Sequence, residues 1–243
     1  VCAAYIIYFF VFGNSALKPS LKNFSLQRDL VLEIASLGSV TLVRQAMVSI
    51  TVLLVNNILF AFGGEASITV YAIISRMLMF ATFPIFGITQ GFLPIAGYNY
   101  GAKNWERVRK SINISIFYAT ALASLVFIVI FFFSESIPQI FSNDVEVSKQ
   151  APLALRYVFL ALPIVGIQLI GAAYFQAIGK ATPALLLTLS RQGFFFIPLL
   201  FILPPYFGVT GVWIAFPIAD LLSTLVTIYF LNRAVRKELV EKD

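Results

Sequence analysis

The stretch that most constrains the fold runs from Tyr71 to Trp105, YAIISRMLMFATFPIFGITQGFLPIAGYNYGAKNW. Its apolar part exceeds the roughly 20 residues that a helix needs to cross a bilayer, and it is longer than a soluble core helix or a signal sequence requires. Prolines and glycines are tolerated in membrane helices, where neighbouring groups re-satisfy the freed backbone. The stretch therefore predicts a membrane span that ends in a cationic loop, and such loops are typical of the cytoplasmic side.

Composition points to the bilayer as the solvent of the whole chain. Hydrophobic residues make up 60% of the sequence and charged residues only 12%, whereas soluble domains have roughly 25% charged residues. The net charge of +6 does not come from a basic helix or from basic residues interleaved with aromatic ones, so we expect no nucleic-acid partner. Membrane lipid is the expected surrounding.

The chain has no histidine and a single cysteine, Cys2. A disulfide within the chain, a zinc site with several Cys or His ligands, and a histidine-based catalytic triad are excluded. The sequence also lacks a G-x-S-x-G motif and places only one acid deep in a span. We expect a protein that is not an enzyme, with no cofactor and no metal site in this chain.

Six apolar spans are predicted, and they define an all-α polytopic transmembrane helix bundle. The spans cover residues 29–62, 67–98, 108–133, 152–178, 183–203 and 211–231. A tight turn at residues 63–65 joins the first two spans, and residues 134–150 form a loop on the same membrane face as that turn. The third span has no charge in its interior and is predicted to be lipid-facing scaffold.

The positions of the basic residues predict which membrane face each turn occupies. The segments on one face hold twelve of them, namely Lys18, Lys22, Arg28, Lys103, Arg107, Arg109, Lys110, Lys180, Arg233, Arg236, Lys237 and Lys242. The opposite face holds Lys149 and Arg156. Because cytoplasmic loops are enriched in Lys and Arg, this bias predicts a cytoplasmic C-terminal tail at residues 232–243.

Four stretches resemble a known family. The sequence PIFGITQGFLPIAGYNYGAKNWERVRKSI is similar to the helix-and-loop signature of the multidrug and toxic compound extrusion (MATE) family, in its bacterial multidrug-efflux branch. The stretch FQAIGKA, at residues 175–181, resembles the loop after that family's tenth helix. The segments that begin at Ser190 and Pro217 resemble its last two helices. Together the matches cover nearly the whole chain, in order.

The resemblance implies a fold of two six-helix lobes, of which this chain is the C-terminal one. Residues 1–12 would then be the end of a preceding transmembrane helix, and residues 13–28 a cytoplasmic linker between the lobes. The missing N-terminal lobe would be the partner. The family's best-known cation-binding carboxylates of this lobe align near Val48 and Val165, which are apolar here, so coupling carboxylates are expected in the other lobe.

The function that the resemblance implies is secondary active multidrug efflux at the cell membrane. Organic, often cationic compounds would move outward in antiport with Na⁺ or H⁺ while the two lobes rock. The alternative is a lipid-linked oligosaccharide flippase of the same superfamily. A flippase would favour a large cationic groove for its pyrophosphate carrier.

Asp220 is the residue most able to carry chemistry. It lies near the middle of the last span, three residues after Pro217. A carboxylate at bilayer depth costs roughly 2.5–3.5 kcal/mol on insertion scales and usually lines a cavity, relays protons or pairs with a cation. Asp220 is therefore either a coupling-ion or proton site or one half of an ion pair with Arg191 or Arg44. Either role requires that it face the bundle interior.

Several other residues within the spans could line a substrate cavity. Arginines can hold carboxylates, amides can bind ligands or hydrogen-bond between helices, and Met and Phe surfaces adapt to varied organic cations. The candidate lining residues are Arg44, Gln45, Met47, Asn56, Arg76, Met79, Phe83, Gln168, Arg191 and Asp220. The candidates for hinges or close helix packing are Pro84, Gly87, Gly91, Pro94, Pro163 and Pro217.

Overall fold

The computed structural model describes residues 8–9 and 27–236, and the chain divides into two units, Val1–Ser36 and Leu37–Asp243. In the first unit, Tyr8 and Phe9 are helical, and residues 28–36 begin the first long helix. The predictions for most of residues 1–12, for the linker up to residue 26 and for the tail after Arg236 lie outside the described residues.

Residues 27–236 contain nine helices and one π-helical segment. They are α1 (Arg28–Gly101), α2 (Trp105–Phe132), α3 (Ser136–Phe141), α4 (Val145–Phe159), α5 (Leu162–Ala177), α6 (Ala181–Leu189), the π-helical segment Ser190–Phe196, α7 (Ile197–Ile202), α8 (Pro204–Phe207) and α9 (Val209–Val235). No strand occurs among residues 27–236. The predicted all-α bundle is confirmed, although the loop predicted at residues 134–150 contains α3 and the start of α4.

Gly64 breaks α1 into a first arm, residues 28–63, and a second arm, residues 65–101. Its backbone has φ 66° and ψ −161°, a combination that only glycine adopts readily. Val48 and Leu78 line one cavity, yet on a straight helix they would be about 45 Å apart at 1.5 Å per residue. The chain therefore folds back at Gly64, where the sequence predicts a turn.

Four helices in the described range are long and apolar enough to cross a membrane, namely Gln45–Gly101, Trp105–Phe132, Ala181–Phe207 and Val209–Val235. The pair Val145–Phe159 and Leu162–Ala177, bent by 46°, brings the number to five. Because the first of these folds back at Gly64, each arm of α1 has the length of a crossing. The exact count of six stays a prediction.

The bend between α4 and α5 has a covalent cause. Pro163 lies in the first turn of α5, and a proline there cannot donate to the carbonyl of Phe159 and would clash with it in a continuous helix. The bend predicted near Pro163 is present, but the helical chain begins at Val145 rather than at residue 152. Asp144 caps that start by accepting a hydrogen bond from the backbone N–H of Glu146 at 2.8 Å.

Helix α5 packs closely against both α2 and α9. A Cβ atom on Gly166 would lie 2.9 Å from the Cβ of Ala119 in α2, and a Cβ on Gly171 would overlap the methyl group of Thr227 in α9. Small residues at such crossings let helices approach each other. One side of α2 is therefore buried against α5, and the prediction that this span is lipid-facing scaffold applies to its remaining surface. The exposed side of α2 includes Phe117 and Phe132.

The glycines predicted to pack closely in α1 behave differently. A Cβ on Gly87 or on Gly91 would meet nothing within 4 Å, whereas one on Gly97 would lie 3.1 Å from the carbonyl oxygen of Ala177. Within the described chain nothing therefore packs closely on Gly87 or Gly91, and their role in close packing or as hinges stays a prediction. Pro84 and Pro94 lie exposed inside α1, and Pro217 lies inside α9; their role as hinges stays a prediction.

Candidate functional site

Asp220 and Arg191 form an ion pair in the bundle interior. The Arg191 Nε–H donates to Oδ1 of Asp220 in a short hydrogen bond, and Nη2 donates to Oδ2 at 3.5 Å. The Asp220 side chain is 5% exposed and the Arg191 side chain 32% exposed. Two-point contact is the geometry that suits a guanidinium and a carboxylate. The interior position predicted for Asp220 is confirmed, and Arg191 is its partner.

A second set of hydrogen bonds holds the backbone carbonyl of Asp220. Nε2 of Gln168, on α5, donates to this oxygen at 2.6 Å and to Oγ1 of Thr224 at 2.7 Å. The hydroxyls of Ser223 and Thr224 donate to the same carbonyl at 3.2 and 2.7 Å. These bonds hold the backbone of α9 in place at Asp220, three residues after Pro217.

A cavity of about 200 Å³ opens beside the ion pair. Both arms of α1, the π-helical segment and α9 contribute to its wall. The lining residues are Val48, Thr51, Val52, Tyr71, Ser75, Leu78, Arg191, Gln192, Phe196, Phe216, Ala219 and Asp220. The ring centroids of Phe196 and Phe216 are 4.4 Å apart, and that of Tyr71 is 6.5 Å from Phe216. The cavity thus combines one carboxylate with three aromatic rings.

Two polar atoms of this cavity wall make no hydrogen bond to any of the described residues. They are Oγ1 of Thr51 and Oε1 of Gln192, and both are buried. A buried polar group without a partner costs about 1–3 kcal/mol, so proteins rarely retain one without use. The cavity therefore offers a ligand one hydroxyl and one amide oxygen in addition to the carboxylate.

The π-helical segment places Arg191 and Gln192 in the wall. Pro198 follows this segment in the first turn of α7 and has no N–H to donate to the carbonyl of Phe194. The regular series of i to i−4 hydrogen bonds is interrupted at that point. π-Helical turns are rare in proteins overall, but those that occur are often found at functional sites. The sulfur of Met47 lies 3.7 Å from the position of a Cβ on Gly193, so Met47 packs on the same segment.

Other predicted lining residues lie elsewhere. Met79 and Phe83 are 57% and 56% exposed, and the guanidinium of Arg76 lies 5.9 Å from the ring centroid of Phe141. Gln45 is exposed and Asn56 is half-buried outside this cavity. The side chain of Arg44 lies outside the described residues. Arg76 is exposed, and within the described chain it does not line this cavity, nor do Gln45, Asn56, Met79 and Phe83.

The reason for the difference lies in the phase of the second arm of α1. Residues Tyr71, Ser75 and Leu78 share one face at spacings of four and three, and they line the cavity. At about 100° per residue, Met79 lies roughly 75° and Phe83 roughly 115° around the helix axis from the centre of that face, so both point away from the cavity. This helix is apolar on all sides, and its sequence does not indicate which face turns inward.

A polar stripe that the sequence does show was missed. Asp220, Ser223, Thr224 and Thr227 recur at spacings of three and four on α9, and all four are buried. Residues with this spacing lie on one helix face. The stripe could have located the contact with Gln168 from sequence, whereas nothing in the sequence signals that Thr51 would join the same cavity.

Comparison with known proteins shows which family has this architecture. The model of the MatE family matches residues 40–202. The chain is 26% identical to the multidrug export protein MepA of Staphylococcus haemolyticus over 100% of its own length and 53% of that protein. Its fold matches the solved structure of a complex of the MATE multidrug transporter DinF-BH, with a TM-score of 0.86, 33% identity, and coverage of 98% of this chain and 53% of that one.

A second solved structure shows the same fold. It is the outward-facing conformation of a multidrug resistance MATE family transporter of the MOP superfamily, with a TM-score of 0.89, 24% identity, and coverage of 96% of this chain and 53% of that chain. The chain thus spans about half the length of the relatives it matches. Its fold is that of an integral membrane transporter. The chain belongs to the MatE family.

Proposed function

We propose that this chain forms one lobe of a multidrug exporter and works together with a second six-helix lobe. The names of its relatives describe a multidrug export protein and a multidrug transporter. Those proteins are about twice as long as the aligned region. The two lobes would enclose the transport pathway and expose it to each membrane face in turn.

The observation that carries the proposal is the cavity at the Arg191–Asp220 pair. Its wall presents a carboxylate beside the rings of Tyr71, Phe196 and Phe216. Aromatic faces attract organic cations, and the attraction grows when water is removed. A cationic compound that enters would compete with Arg191 for Asp220. The substrate class that fits this wall is an organic cation with an apolar body.

For energy coupling we propose antiport with Na⁺ or H⁺, with the coupling carboxylates in the other lobe. Val48 lines the cavity and Val165 is buried in α5, and neither side chain can bind a cation. Asp220 remains as the carboxylate of this cavity, and Arg191 already neutralises it. In this lobe the pair would therefore respond to the substrate rather than hold the coupling ion.

The flippase alternative receives less support from the cavity. A groove for a pyrophosphate carrier needs several unpaired cations. Arg191 is the one cation among the described lining residues, and its charge is balanced by Asp220. The aromatic wall favours an exporter of organic cations.

The test is transport by the full native protein in proteoliposomes. An organic cation such as ethidium should be driven across the membrane by an imposed Na⁺ or pH gradient, and collapse of that gradient should stop the flux. Protease accessibility of the C-terminus checks the proposed cytoplasmic tail in the cell membrane. Absence of gradient-driven flux for a panel of organic cations, with folded protein verified in the vesicles, would contradict the proposal.

A further inference from the structure

A second cavity lies apart from the Asp220 site, in a groove between α2, α5 and α9. Its volume is about 340 Å³, and it lies where α2 begins and α9 ends. Its polar lining residues are Arg109, Asn113 and Asn232. Isoleucines from the three helices, among them Ile116, Ile167 and Ile228, make up much of the remaining wall.

The sequence builds this groove from two matching helix faces. On α2 the lining residues recur as 109, 112, 113 and 116, and on α9 as 228, 231, 232 and 235. Both sets follow the i, i+3, i+4, i+7 spacing of one helix face. Arg109 is the fifth residue of α2 and Asn232 the fourth from the end of α9, while Ile116 and Ile228 lie one to two turns deeper. The polar lining residues therefore lie near the helix ends, where Val235 also lies, and Ile116 and Ile228 lie toward the bundle centre.

The charge at this end of the bundle is strongly positive. Arg107 and Lys110 flank Arg109 on α2, and Arg233 and Arg236 follow Asn232 on α9. Glu106 is the one acidic side chain in the first turn of α2. Clusters of Lys and Arg beside membrane helices attract anionic lipids, and basic pockets between such helices bind their headgroups.

We propose that this groove is a binding site for an anionic phospholipid. The phosphate would accept hydrogen bonds from the Arg109 guanidinium and from the side-chain amides of Asn113 and Asn232. An acyl chain would lie along the isoleucines. A planar guanidinium binds phosphate at two points, and neutral amides complete the donor set without repelling it. The isoleucine wall below the donors fits the acyl chain of a lipid, whereas a free phosphate ion would make no favourable contact with it.

The experiment counts lipids that remain bound to the full native protein. Protein is equilibrated with vesicles of equimolar phosphatidylglycerol and phosphatidylcholine, transferred to detergent, and measured by native mass spectrometry. The wild-type protein should retain phosphatidylglycerol in preference to phosphatidylcholine. Arg109→Gln should lower that preference about fivefold, the effect expected for one cation at a membrane surface.

The matched control is Arg107→Gln. It removes the same charge from the same helix end, but residue 107 is rotated by about 200° from residue 109 and lies off the groove face. Its preference for phosphatidylglycerol should stay within about twofold of wild type. Ile228→Trp provides a second variant that keeps every charge. Ile228 is 36% exposed, so the larger ring fits at the surface while filling the groove, and it should also lower retention.

Three results would overturn the proposal. Equal losses for Arg107→Gln and Arg109→Gln would show a diffuse surface charge rather than a groove. Full retention in Ile228→Trp would show that no acyl chain uses the isoleucine wall. Displacement of the lipid by inorganic phosphate at matched concentration would show that the site recognises the phosphate ion alone.

Discussion

Two arginine–carboxylate pairs in this chain have the same chemistry and opposite surroundings. Arg191 and Asp220 meet in the bundle interior, where the Asp220 side chain is 5% exposed. Arg156 and Glu135 meet at the other extreme, at 3.2 Å with side chains 42% and 75% exposed. Arg156 also donates to Ser134 at 2.9 Å and lies over the ring of Phe131, so it fastens α4 to the end of α2.

The difference shows what burial adds to an ion pair. An exposed pair gains little because water screens it, and its measured contribution is about 0–1 kcal/mol. A buried pair gains little overall as well, because desolvation offsets the attraction, but removing one partner leaves a costly buried charge. The outer pair is thus dispensable, whereas the inner pair must stay matched or acquire a replacement cation. A transported cation could be that replacement.

The largest expected effect comes from Arg191→Leu, which leaves Asp220 buried without a partner. The free energy of unfolding should fall by about 3 kcal/mol, the lower end of the range for broken buried pairs, because Arg191 is partly exposed. Denaturation of the purified protein in mixed detergent micelles measures the change. The double variant Arg191→Leu/Asp220→Leu should return to within about 1 kcal/mol of wild type. A double variant as unstable as the single one would mean that the pair is not the cause.

The second-largest effect is expected from Gly166→Ala, which tests whether the close contact between α5 and α2 stabilises the bundle. Gly166→Ala places a methyl group 2.9 Å from the Cβ of Ala119 and should destabilise the protein by about 1–3 kcal/mol through overpacking. Gly87→Ala is the matched control, since its new Cβ meets nothing within 4 Å. The control should be neutral or stabilising, because alanine is the better helix former. Equal effects of the two substitutions would refute the packing argument.

A smaller effect is expected from Thr51→Val, which removes an unpartnered buried hydroxyl from the cavity wall. The free energy of unfolding should rise by about 1 kcal/mol, because the folded protein no longer buries an unsatisfied group. Transport of an organic cation should fall at the same time if that hydroxyl contacts the ligand. Stability and transport are measured on the same preparation. A loss of stability would show instead that Thr51 has a structural role.

The smallest effect is expected for Glu135→Gln in the exposed pair. The free energy of unfolding should change by less than about 1 kcal/mol, and the transport rate should equal that of wild type. The remaining difference should shrink further as ionic strength rises, because salt screens exposed charges. Thermal unfolding at low and high salt checks both statements. A change of several kcal/mol would contradict the contrast drawn between the two pairs.

The sequence predicted the parts of this architecture that rest on composition and on single strong residues. Apolar length gave the helical spans, and Gly64 marked a turn because few residues tolerate its backbone angles. Asp220 indicated an interior partner, because a carboxylate at that depth needs one. Arg191 was one of the two partners proposed, and the structure shows its contact with Asp220. The side chain of Arg44, the other proposed partner, lies outside the described residues.

The sequence could not predict which side of each apolar helix turns toward the bundle interior. Met79 and Phe83 resemble Leu78 in hydropathy, so the pattern along the second arm of α1 has no phase that separates inside from outside. The cavity also joins residues that are far apart in the sequence, such as Thr51 and Gln192, through a fold-back and a π-helical segment. Neither feature is encoded in a local periodicity. The glycines of α5 likewise reveal their packing role only once Ala119 and Thr227 are opposite them.

The central claim is that the buried Arg191–Asp220 cavity serves transport and is not merely structural. The most direct measurement compares gradient-driven efflux of ethidium by Asp220→Asn and Glu135→Gln in proteoliposomes containing equal amounts of folded protein. Asparagine keeps the shape of the carboxylate and removes its charge. The account predicts that Asp220→Asn lowers efflux about tenfold or more, the factor that corresponds to about 1.4 kcal/mol, while Glu135→Gln leaves it unchanged. Equal, wild-type efflux by both variants would contradict it.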